Sequence, residues 1–102
     1  MTYTTIEIKS YRLALFSHGA KVSLYDAQGG QFGAAYIRPE SEPLKENYQD
    51  ADGIYRVYFH YSRLPALVDL LRNESPVYLH YWHEGGLNCH LASGLEPVGE
   101  GE

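Results

Sequence analysis

Hydrophobic residues recur at every second position along most of this chain, and at every third or fourth in one segment. Ile6 and Ile8 alternate with Glu7 and Lys9, and the apolar parity then changes to Leu13 and Leu15. Such a change predicts a bend or bulge near Ser10 and Tyr11, and so a long, bent first strand. Ser17-His18-Gly19-Ala20 turns the chain into a strand over 21–27, with Val22 and Leu24 on one side and Ser23 and Tyr25 on the other. Gly29-Gly30 closes a hairpin with 31–38, which makes three consecutive antiparallel strands. Residues 39–53, rich in Pro, Glu, Asp and Asn, read as a mobile solvated loop.

Alternation resumes over 54–61 (IYRVYFHY). Ser62 is placed to cap a helix with Pro65 in its first turn, and Leu64, Leu67, Val68 and Leu71 form one apolar stripe suited to packing on a sheet. Pro76 biases Ser75 away from helical backbone, so the helix is expected to end near Asn73. Two last strands, 77–83 (VYLHYWH) and 87–93 (LNCHLAS), should form a hairpin around Glu84-Gly85-Gly86.

The element order is thus β-β-β-β-α-β-β. The expected fold is α+β: a curved antiparallel sheet or partly open barrel with one helix packed on it, forming a single domain over residues 1–95. Residues 96–102 are expected to be an acidic, flexible tail. The order is loosely similar to an oligonucleotide-binding barrel with an extra strand, a resemblance of topology alone that no sequence motif accompanies.

The register of the last hairpin can be argued, because a slip of one residue exchanges the faces of a strand. Pairing Tyr81 with Cys89 and Leu79 with Leu91 gathers Val77, Leu79, Tyr81, Leu87, Cys89 and Leu91 on one apolar side. It leaves Tyr78, His80, Trp82 and His90 on the other, with His80 opposite His90. In the strand before the helix, Val57 and Phe59 set the inward parity, so Arg56, Tyr58 and His60 point outward. Tyr58, His60, Tyr78, His80, Trp82 and His90 are therefore the candidate binding residues, one surface if the two strand regions are neighbours.

Composition adds limits to this picture. The chain has 102 residues, room for one modest core, and its ten tyrosines are in excess. The net charge of -5 is unevenly spread. Residues 40–52 carry -4 and 96–102 carry -3, so the remainder carries +2. The one cysteine, Cys89, cannot form an internal disulfide or a cysteine zinc site, and is expected inward on its strand. Charged residues interrupt the first twenty positions, and no apolar run approaches a membrane span, so a cytoplasmic protein without a membrane partner is expected.

No catalytic or cofactor motif is found. Asp50-Ala51-Asp52-Gly53 puts Tyr48 where a calcium loop needs its first Asp. His80 and His83, an apparent H-x-x-H pair, fall on opposite faces of a strand. The shared face of His60, His80 and His90 lacks a carboxylate, so no metal site is assigned. The reading that follows is a non-catalytic module that binds a protein partner or a second copy of itself through the Tyr/His/Trp face. Single-stranded nucleic acid is the alternative, disfavoured because Arg56 is the only arginine assigned to that face. An acidic imitation of nucleic acid by the loop and tail, and a small-molecule enzyme with no identified site, are further alternatives.

Overall fold

A computed structural model describes residues 3–94; the expected tail at 96–102 lies outside them. The order is β1 (Thr4–Ile8), β2 (Ser10–Phe16), β3 (Gly19–Tyr25), β4 (Gln31–Arg38), β5 (Tyr48–Gln49), β6 (Tyr55–His60), a 3₁₀ turn (Tyr61–Arg63), α1 (Leu64–Asn73), β7 (Val77–His83) and β8 (Leu87–Ser93). The fold is α+β with one helix, and the helix falls between the sixth and seventh strands, near where the pattern of polar and apolar positions places it.

Two features differ from the expected single sheet. The strands form two open sheets, β1-β7-β8 and β2-β3-β4-β6-β5. The parity change near Ser10 is the point at which the chain leaves one sheet for the other: β1 pairs with β7, and β2 pairs with β3. The second difference is that β4 and β6 run parallel, Ala35 beside Val57 and Ile37 beside Phe59. The remaining pairs are antiparallel.

The core lies between the sheets. Val22, Leu24, Ala35, Ile37 and Val57 from one and Val77, Leu79 and Leu87 from the other belong to a single buried cluster. Tyr55 and Tyr81 meet across the gap with ring centroids 4.0 Å apart. The helix buries Leu67 and packs Leu64, Leu70 and Leu71 against the same cluster. A cavity of about 160 Å³ remains between the helix residues Leu67 and Leu70 and the strand residues Phe59 and Leu91.

The expected Ser62 cap is absent: no side chain caps the helix, and the Ser62 backbone N–H instead donates to the Glu40 carboxylate. That contact is one of four that link the largely exposed 39–53 segment, expected as a mobile solvated loop, to β6 and the turn after it. His60 Nε2 donates to the Glu42 carbonyl at 2.8 Å, the Tyr58 N–H donates to Asn47 Oδ1 at 3.0 Å, and Arg56 pairs with Asp50. Asp50 Oδ1 also accepts the N–H groups of Asp52 and Ile54 at 2.9 and 3.0 Å.

Leu13 and Leu15 share the inward parity of Val22 and Ala20, their partners on β3, yet remain 39% and 66% exposed. The second sheet and the helix cover the middle of the five-stranded sheet and leave its β2 edge open. At the turn end of this hairpin, beside Phe16, Gly19 is required by close approach: a Cβ there would clash with the Ile37 carbonyl oxygen.

Candidate functional site

β7 and β8 pair as their parity predicts, with Tyr81 opposite Cys89, Leu79 opposite Leu91 and His80 opposite His90. Gly85 and Gly86, at φ 67° and 130°, make the turn in backbone conformations open to glycine. β1 extends the outward face on the far side of β7, placing Thr5 beside His80 and Glu7 beside Tyr78. The face of the three-stranded sheet therefore has three cross-strand rows: Glu7, Tyr78 and Ala92; Thr5, His80 and His90; and Tyr3, Trp82 and Asn88.

Ring contacts join these rows. Trp82 lies 5.2 Å from Tyr3 and meets His90 edge-on at 5.4 Å, while His80 is 4.9 Å from His90 and 6.0 Å from Tyr78, all between centroids. His80 Nδ1 and Thr5 Oγ1 share a 3.0 Å hydrogen bond. Partial burial, and then the nearby His90, hold the His80 imidazole below its ordinary pKa. Tyr3 is 60% exposed and Trp82 is half-buried. The result is a tile of aromatic and imidazole rings, held by its neighbours, with one face to solvent.

Tyr58 and His60 are not part of that tile. They belong to β6 in the five-stranded sheet, where Tyr36 stacks on Tyr58 at 5.3 Å with ring planes 22° apart. Burial, then the neighbouring Tyr48, raises the pKa of the Tyr58 phenol. His60 is engaged with the loop backbone. The rims of the two sheets meet at a hollow of about 290 Å³ lined by Tyr58 from one and Asn88 from the other.

No family model, curated protein or solved structure matches the chain.

The outer face of the five-stranded sheet carries residues that sequence reasoning did not assign. Register places Arg12, Ser23, Ala34, Arg56 and Tyr48 in one row across it, and Ala14, Lys21, Tyr36 and Tyr58 in the next. Arg38 stands beside His60. Parity already put Ser23 and Tyr25 opposite the core side of β3; carried to Lys21, Tyr36 and Arg38, the same alternation would have gathered these cations. What parity could not supply was the pairing of β4 with β6.

Cys89 is half-buried, and desolvation pushes its thiol up to about 11, which removes it as a nucleophile near neutral pH. Among the described residues, no group of three or more His, Cys, Asp or Glu is arranged to hold a metal ion. No described helix is long and apolar enough to cross a membrane.

Proposed function

We propose that the protein is a non-catalytic binding module whose contact surface is the outer face of the three-stranded sheet: Tyr78, His80, Trp82 and His90, with Tyr3 and Thr5. Its partner is another protein surface, a second copy of this chain being the form most directly tested. The observation that carries the reading is Trp82 held between Tyr3 and His90. Large rings already fixed by neighbours lose little conformational entropy on binding, and for that reason Trp and Tyr dominate the energetic centres of protein interfaces. Support also comes from the strand composition of this face, which has one carboxylate, Glu7, at its corner.

The test is sedimentation of the whole chain over a range of concentrations, with Trp82 emission followed in parallel. Self-association with a blue shift of Trp82 is the expected result, and in Trp82→Ala, which has no tryptophan to follow, sedimentation should show the association lost while the fold is kept. A chain that stays monomeric, with unshifted Trp82 emission and no partner retained in a Trp82-dependent way on the immobilised protein, would remove the reading.

A further inference from the structure

The five-stranded sheet presents a different chemistry on its outer side, one that the first proposal does not use. Of the outward residues on β2, β3, β4 and β6, Arg12, Lys21, Arg38 and Arg56 are cationic and none is acidic. Asp50 neutralises Arg56. Lys9 pairs with Glu7, and among the described residues no carboxylate pairs with Arg12, Lys21 or Arg38. Three of the six lysines and arginines outside those two pairs thus share one sheet face that carries no carboxylate on its strands.

Aromatic rings lie among these cations. Tyr36 and Tyr58 are stacked at the centre of the face, with Lys21 and Arg56 each 5.9 Å from the Tyr36 ring centroid. The Arg56 guanidinium also donates to the Tyr36 hydroxyl and to Asp50, which fixes the ring edge. Tyr48 and Phe16 are 47% and 57% exposed at opposite ends of the face. Between them Ser23 and Ala34 are buried although they point outward, because the longer Arg and Tyr side chains beside them rise above a floor of small residues. A depression of about 170 Å³ opens where Phe16, His18, Tyr36 and Arg38 meet.

We infer that this outer face is a binding site for single-stranded nucleic acid, its phosphates answered by Arg12, Lys21 and Arg38 and its bases by Tyr36 and Tyr58. Free cations attract any polyanion, so the choice rests on what the rings can use. An acidic peptide brings carboxylates but no flat surface for the tyrosines. A duplex keeps its bases stacked on each other. A single strand uses both parts of the face, the charged track and the stacking platform, as sheet-based single-strand binders do.

The experiment is fluorescence anisotropy of a labelled oligothymidylate of about 12 nucleotides, within the usual site sizes of such surfaces, titrated with the whole chain. Binding at low salt should weaken as salt rises from about 50 to 200 mM. Lys21→Glu with Arg38→Glu should lower affinity by roughly tenfold or more, and should make the log–log salt dependence shallower by about 1.4, the change for two lost phosphate contacts on a single strand. Tyr36→Ala should weaken binding with little change in that slope. Arg63→Glu with Arg72→Glu, the same change of net charge placed on the helix side, should leave affinity nearly as it was. If charge reversal unfolds the sheet, Lys21→Gln with Arg38→Gln is to be read by the slope alone. The proposal is overturned by a flat anisotropy at low salt, by equal binding of polyglutamate or of duplex DNA, or by an effect of the helix-side pair as large as that of Lys21 and Arg38.

Discussion

His80 and His90 face one another across β7 and β8 with ring centroids 4.9 Å apart, so that charge on His90 is felt at His80. Burial, then His90, lowers the His80 pKa below its ordinary value of 6.5. The unfolded chain therefore takes up that proton more readily than the folded one. Stability should be full above about pH 6.5 and fall as the pH drops through the lowered folded value. Thermal unfolding between pH 5 and 8 measures this, and imidazole titration by NMR should show His80 moving up toward its ordinary pKa in His90→Gln. An unmoved His80 would show that burial alone sets the shift.

The Asp50 carboxylate is linked to stability in the same sense, at lower pH. The Arg56 guanidinium, and then the Ile54 N–H, hold it below its ordinary 3.8. The stability it contributes is present above that value and is lost as the pH falls through the folded pKa. Asp50→Asn should keep an acceptor for the turn but lose the ion pair. Hydrogen exchange at 48–54 should then speed up more than exchange in the β7–β8 hairpin, and equal acceleration in both would argue against a local role.

Leu79 is fully buried between the sheets, whereas Leu15 is 66% exposed on the β2 edge. Leu79→Ala should cost about 2–5 kcal/mol in urea unfolding, and Leu15→Ala no more than about 0.5 kcal/mol. The exposed edge still has a cost of its own. Leu13, Leu15 and Phe16 stand beside unpaired backbone, an arrangement that favours edge-to-edge association. Leu15→Lys should raise the concentration at which light scattering begins while leaving the unfolding midpoint nearly unchanged.

Cys89, with its thiol pushed up to about 11, should be alkylated by iodoacetamide at pH 8 on the order of a hundredfold more slowly than a free thiol. Intact-mass measurement follows the reaction, and urea should restore the ordinary rate. Rapid labelling of the native protein would place the sulfur in water.

Gly19 tests packing from the other direction. In Gly19→Ala the new methyl clashes with the Ile37 carbonyl oxygen, a backbone contact that can be relieved only by moving β3 or β4. A loss of about 1–3 kcal/mol is expected in urea unfolding. A neutral effect would mean that the hairpin shifts freely.

Local geometry was legible in the sequence and pairing at a distance was not. The β7–β8 register followed from parity and a short turn, so Tyr78, His80, Trp82 and His90 were placed on one strip without any knowledge of the rest of the chain. Alternation reports which face a side chain takes, but not which strand lies next to it. Tyr58 and His60 were assigned to the right parity, yet their sheet depends on the parallel pairing of β6 with β4, across a segment that has only the two-residue β5. The sheet change between Ile8 and Ser10 left a mark in the sequence, the shift of parity, which describes a corner and a bulge equally well. For the same reason Arg12, Lys21 and Arg38 on the meander could not be joined to Arg56: that took the pairing of β4 with β6.

The pairing of β1 with β7 also bears on how the molecule is made. Thr4 meets Tyr81 and Ile8 meets Val77, so the middle strand of the smaller sheet emerges from the ribosome long after the strand it must join. The β2–β3–β4 meander can form during synthesis from neighbours in sequence, while β1 waits with Ile6 and Ile8 uncovered. Closing that gap is the slow kind of contact, in which loop entropy is lost before any burial is gained. The last step of folding should therefore be the docking of the finished β7–β8 hairpin onto the N-terminal strand, the step that also lays Thr5 beside His80 and completes the tile around Trp82.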